Sequence, residues 1–203
     1  MFENIREDFK VYAQLTGVDR GKGILAASWL FDARRFVAAL WVFPFSAVVI
    51  YRGKCWLRAH HLPVLPRLLD WLNIILWQVQ IADNASIGPG LCISHGSLMI
   101  AGEVKIGRNC TINPFSGLGL IHKRKVKNPW DSLVGPTVGD NVFIGVGARL
   151  MGPIAIGDNV RIGANSIVIH DVPSNCVVIG NPARVLDISD PEQRAMVQDV
   201  IDG

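Results

Sequence analysis

The sequence predicts a parallel β-helix joined to an α-helical N-terminal region, and three observations carry that prediction. From Ile81 onward an aliphatic residue returns on a six-residue beat, at positions 81, 87, 93, 100, 106, 112, 118, 138, 144, 150, 156, 162 and 168. The residue that follows is glycine at seven of these thirteen positions: Gly88, Gly107, Gly119, Gly139, Gly145, Gly157 and Gly163. Residues 1 to about 78 lack the beat and read as helices.

Each hexad is expected to form one short strand and a corner, with three hexads closing a coil and the aliphatic side chain pointing into a stacked core. Glycine suits corners that need unusual backbone angles. The position four after the aliphatic is small or apolar, as in Ala85, Val142, Ala148, Val160 and Ser166. An α-helix does not fit, because about 100° per residue would spread a six-residue beat around the whole cylinder. A β-sandwich would alternate with period two, and this segment does not.

The beat breaks twice. Ile93 and Ile100 are separated by one residue too many, directly after His95. Leu118 and Val138 lie twenty apart, where three hexads would cover eighteen, and the stretch between them holds His122-Lys123-Arg124-Lys125-Val126-Lys127-Asn128-Pro129-Trp130. Polar, basic and ending in Pro-Trp, it is expected to leave the prism as an exposed loop. Three roles fit such a loop: contact with an anionic substrate across a subunit groove, contact with anionic lipid headgroups, or a solvated tip.

In the first part of the chain, helices are expected over Phe2 to Leu15, within Ile24 to Arg58, and over Val64 to Gln78 after the breaks at Pro63 and Pro66. The run Phe36 to Ile50 is almost wholly apolar and flanked by Arg34, Arg35, Arg52 and Lys54. It is shorter than the roughly 20 residues a bilayer requires and contains Pro44, so a buried helix in a cap or oligomer contact is favoured over an interfacial membrane helix. After Val168 the chain closes through Val178-Ile179-Gly180-Asn181-Pro182-Ala183-Arg184, and Ser189-Asp190-Pro191-Glu192 reads as the start of a short terminal helix. The expected organisation is a helical domain over 1–78, a β-helix over 79–188, and a terminal helix or tail over 189–203.

Composition narrows the function. A net charge of +3 over 203 residues does not call for a nucleic-acid partner. The four cysteines form no CxxC pair and no metal-ligand spacing with the five histidines, which argues for free thiols in a reducing compartment. The N-terminus MFENIREDFK has no apolar h-region, so a cytoplasmic location is expected, with attachment to the inner membrane surface kept open by the apolar helices.

The string IGDNVRIGANSIVIHDVPSNCVVIGNPARV, the ISHG element at 93–96 and the helical N-terminal region resemble the serine acetyltransferase family of hexapeptide transferases. The likeness spans roughly residues 65 to 188. It implies a left-handed parallel β-helix, assembly as a homotrimer that pairs further through the helical domains, and acetyl-CoA lying in the groove between neighbouring prisms. It also implies that His95 deprotonates an acceptor hydroxyl. An imidazole with an ordinary pKa near 6.5 suits that task, because a neutral alcohol attacks a thioester poorly without a base.

The same likeness places acetyl-CoA against the corners at Gly145-Val146 and Gly163-Ala164, with Gly119 also at the cofactor groove, and sets Arg184 against the CoA phosphates. His122 becomes a second active-site histidine carried by the basic loop. No metal is expected, since the three zinc histidines of the γ-type carbonic anhydrases, a neighbouring enzyme of this fold, are missing. Two departures stand out. Members that feed cysteine synthesis carry an aspartate fifteen residues before the base and another just before it, where this sequence has Gln80 and Ser94. They also carry an Arg-His pair before the strand that resumes the prism, where this sequence reads Val134-Gly135-Pro136-Thr137.

Gln80 is therefore expected to orient His95, and the pattern resembles the colanic-acid-type exopolysaccharide branch. The leading expectation is an O-acetyltransferase acting on a sugar hydroxyl of an exopolysaccharide or its precursor. A serine O-acetyltransferase is the alternative, and a non-catalytic trimeric scaffold the third reading.

Overall fold

The computed structural model describes residues 1–15, 45–62, 64–119 and 134–186. Three helices, α1 (Phe2–Leu15), α2 (Phe45–Ala59) and α3 (Leu65–Trp77), precede fifteen short strands. The first and third fall where the sequence puts them. The remainder of the expected central helix, the basic stretch with His122, Pro63, and the terminal helix from Ser189 lie outside the described residues.

The strands form three parallel sheets that are the faces of a left-handed β-helix. One face stacks β1 (Val79–Ile81), β4 (Leu98–Ile100), β7 (Gly117–Gly119), β10 (Arg149–Met151) and β13 (Ile167–Val168). A second stacks β2 (Ser86–Ile87), β5 (Glu103–Ile106), β8 (Val134–Val138) and β11 (Ala155–Ile156). The third stacks β3 (Cys92–Ile93), β6 (Thr111–Ile112), β9 (Phe143–Ile144), β12 (Arg161–Ile162) and β14 (Val177–Gly180), with β15 (Ala183–Val185) added antiparallel at its end.

Every one of the thirteen beat positions is buried, from Ile93 and Leu150 at 0% exposure to Ile87 at 7%. The positions four residues later fill the inside of the corners: Leu91, Val104, Cys110, Val142, Ala148 and Val160 are all buried. The core is thus a ladder of aliphatic rungs, with one beat residue on each of β1 to β13.

The register corrects the reading of the second break. Leu118 stacks on Leu150 in the first face, and Val138 on Ile106 and Ile156 in the second. Leu118 and Val138 are therefore on adjacent faces of a single coil, which one hexad normally joins. The described residues on either side of the basic stretch thus belong to one coil, Leu118 on its first face and Val138 on its second.

One edge, between the second and third faces, has a further ladder that the beat does not reveal. Asn109, Asn141, Asn159 and Asn175 share positive φ of 53° to 62° and pass side-chain amide hydrogen bonds from coil to coil. Beside them, Asp140 accepts from the Arg108 amide and Asp158 from the Asp140 amide. At this edge glycine is a packing requirement: a Cβ on Gly88, Gly107 or Gly139 would meet the backbone of the next coil.

The helices cap the first coil through buried charge. Arg52 donates from Nε to Asp8 at 2.8 Å, and its Nη atoms reach the carbonyl oxygens of Ile87 and Gly88. Asp8 also accepts from the Leu91 amide at 2.8 Å. Lys54 pairs with Asp70 and Asp83 and donates to the Ile81 carbonyl. Arg52 and Lys54, the two cations on the C-terminal side of the apolar run, thus bond to backbone carbonyls of the first coil. No helix among the described residues is long and apolar enough to cross a membrane.

Candidate active site

His95 sits on the edge between the third and first faces, in the corner 94–97 that joins β3 to β4. The extra residue of the first break is absorbed here. Ser97 adopts φ of 63° and its amide donates to the Trp77 carbonyl at the end of α3, 3.0 Å away. Gly96 faces the same carbonyl, which a Cβ would strike. The His95 ring is exposed and makes no hydrogen bond among the described residues.

The residue before it is firmly held. Ser94 donates from Oγ to Asn113 Oδ1 at 2.7 Å, and Asn113 donates from Nδ2 to the Ile144 carbonyl at 2.9 Å. This chain of bonds crosses three coils and fixes the corner from which His95 projects. Asn113 was not legible as a site residue, because it sits at a position where neighbouring hexads carry glycine.

Following the register past Ile93, Ile112, Ile144 and Ile162 brings His95, Pro114, Val146 and Ala164 to equivalent rungs of one edge. At about 4.8 Å per rung, His95 and Ala164 are roughly 14 Å apart along the prism. Val146 and Ala164 are exposed, whereas Gly145 and Gly163 are buried. A Cβ on Gly145 would meet Ile162 O and Ala164 N, so stacking of the corners accounts for this glycine without a ligand. Arg184 pairs with Ile179 near the last rung of the same edge and is exposed.

Gly119 stands apart. It ends β7 on the first face, directly before the basic segment in the sequence, and a Cβ there would meet nothing closer than Ala101 Cβ at 3.9 Å. His122 lies outside the described residues. Gln80 projects outward from the flat first face, level with Met99, and no hydrogen bond joins it to His95. Within the chain, His95 occupies the corner before that face, while Gln80 lies on the face itself.

Gln80 instead lines an open cleft of about 280 Å³ on the first face. Gln78 and Ser97, hydrogen-bonded to each other at 2.8 Å, line it together with the apolar Ile74 and Phe115 and the charged Arg149. Ser97 belongs to the His95 corner, so cleft and histidine are neighbours along the chain.

Residues 135–170 match the model of the bacterial transferase hexapeptide (six repeats) family. A serine acetyltransferase of Synechococcus elongatus is 42% identical over 156 residues, covering 76% of this chain and 62% of that protein. One from Helicobacter pylori is 34% identical over 141 residues, covering 69% of this chain and 79% of the relative. The crystal structure of Neisseria gonorrhoeae serine acetyltransferase in complex with serine superposes with a TM-score of 0.68 at 27% identity, over 90% of this chain and 67% of that one. The chain thus spans under two thirds of the Synechococcus relative and over three quarters of the Helicobacter one. It belongs to the serine acetyltransferase-like family of hexapeptide-repeat acyltransferases.

Proposed function

We propose that the chain is an acetyl-CoA-dependent O-acetyltransferase whose acceptor is L-serine and whose general base is His95. The observation that carries this reading is one edge of the prism. It presents an exposed histidine with Val146 and Ala164 in line above it, in a chain whose relatives are named serine acetyltransferase.

In this mechanism the acceptor hydroxyl donates its proton to the His95 imidazole as its oxygen attacks the thioester carbonyl. A tetrahedral oxyanion forms and collapses with loss of the CoA thiolate, which takes the proton back from the imidazolium. Such a base contributes roughly 10²- to 10⁴-fold. The pantetheine arm runs along the edge past Val146 and Ala164 toward Arg184, which meets the CoA phosphates. The donor groove is closed by a neighbouring prism in a homotrimer, as cyclic symmetry satisfies three identical flanks at once. Residues 79–188 act as the acyltransferase domain, with 1–78 as its helical cap. The reaction is assigned to the cytoplasm.

A second acceptor class has one observation in its favour. Among the described residues no carboxylate lines the cleft beside the base, where Gln80 stands, and Ser94 is bonded to Asn113. A site without carboxylates suits a sugar hydroxyl, so an exopolysaccharide precursor is the second reading.

Mass-spectrometric detection of acetylated product after incubation with acetyl-CoA separates the two. O-acetylserine formed in preference to acetylated hexose supports the first reading. Product from hexose acceptors alone would replace it with the second.

A further inference from the structure

We infer that Arg149 binds an oxyanion carried by the acceptor, in the cleft on the first face. This inference rests on the acyl-transfer reading of that site and deepens it.

The position of the guanidinium is the first observation. Arg149 stacks between Gly117 and Ile167 on the outward side of the first face. Its side chain lies back over Gly117: a Cβ there would meet Arg149 Nη1 at 2.6 Å and Cδ at 3.2 Å. The side chain therefore leans along the prism toward the coil of Met99 and the His95 corner, and glycine at 117 leaves it room. Among the described residues Arg149 makes no ion pair or hydrogen bond, and no carboxylate lines the cleft. A guanidinium presents a planar fork matched to carboxylate and phosphate oxygens. Here it lines a cleft whose other polar side chains are the neutral amides of Gln78 and Gln80 and the hydroxyls of Ser97 and Ser116.

The second observation is Phe115, which adopts φ of 61°. The register places Ser97, Phe115, Gly147 and Asn165 on equivalent rungs of this edge, all with positive φ. Glycine and asparagine tolerate that conformation, and a bulky aromatic does not. Its side chain is nevertheless 60% exposed, so burial does not explain the strained backbone, and it lines the cleft beside Ser97, whose carbonyl accepts from the Phe115 amide. Strain of this kind at an exposed side chain marks a position kept for what the side chain contacts. Phe115 closes one side of the cleft and Arg149 supplies its charge.

The oxyanion is the α-carboxylate of serine, or the phosphate of a phosphorylated sugar in the second acceptor class. Calorimetric binding of L-serine, L-serinamide, glucose and glucose 1-phosphate to the full chain distinguishes the sources. One acid is expected to bind more tightly than its neutral counterpart. Arg149→Gln is expected to weaken that acid roughly 10- to 100-fold and to leave the neutral compound unchanged. Gly117→Ala keeps the charge but displaces the side chain, and the same selective loss is expected.

Weak binding of both acids by the wild type, or an equal loss for acid and neutral compound in Arg149→Gln, would overturn the inference. Acid binding that depends on Arg149 in a protein that transfers no acetyl group would sink the enzymatic reading and leave the anion site standing.

Discussion

The carbonyl oxygen of Trp77, the last residue of α3, accepts a hydrogen bond from the Ser97 amide and occupies the space a side chain at Gly96 would need. The helical cap is thus seated on the corner that carries His95. Replacing Gly96 with alanine forces the helix end and the corner apart. The expected outcome is a stability loss of about 1–3 kcal/mol and a fall in kcat larger than any change in melting temperature would explain. Thermal unfolding alongside steady-state kinetics checks it.

Asp8 and Arg52 are almost fully buried and link α1 and α2 to the first coil. Asp8→Ala strands the guanidinium without its partner, and about 3–5 kcal/mol of stability should be lost. Removing both charges together, in Asp8→Leu with Arg52→Met, should cost less than either single change. Urea unfolding of Asp8→Leu, Arg52→Met and the double variant tests this cycle.

Asn159 holds φ of 56° and bonds to the amides above and below it in the asparagine ladder. Asn159→Ala loses both bonds and places an alanine in the left-handed region, at a cost of about 2 kcal/mol. Asn159→Gly removes the conformational part and is expected to cost less. Melting temperatures of the two variants should fall in that order.

The thiols differ in reactivity. Burial, with a smaller contribution from the Asp8 carboxylate, pushes Cys92 up to about 12, and burial pushes Cys110 up to about 11. Both stay protonated at pH 8, where Cys55 is exposed. Iodoacetamide at pH 8 should label Cys55 in the native protein and leave Cys92 and Cys110 unmodified until denaturant is added, as peptide mapping would show.

The repeat was legible because each rung of a β-helix meets the same environment, so one rule fixed thirteen buried positions at once. The Ile93–Ile100 break correctly located the corner where the cap docks. Its cause, the Trp77 carbonyl against Gly96, was hidden, because the contact joins a helix end to a strand corner with no shared periodicity. The length of the second break misled, since spacing alone does not say on which face the chain re-enters. The asparagine ladder had a visible signal in the repeated Gly-Asp-Asn-Val at 139–142 and 157–160, which the aliphatic beat overshadowed. Gln80 was expected beside His95 because the family resemblance puts it at the position of an aspartate, and within the chain it lies on the neighbouring face. Arg149 carries no signal in the sequence at all. Its significance comes from Gly117 and Phe115, thirty-two and thirty-four residues away.

The role of His95 is tested most directly by thiol release from acetyl-CoA, comparing wild type with His95→Ala at saturating L-serine. The predicted result is a fall in kcat of about 10²- to 10⁴-fold with an unchanged melting temperature, because the exposed ring contributes nothing to packing. Thiol release in the variant within a few-fold of wild type would contradict it.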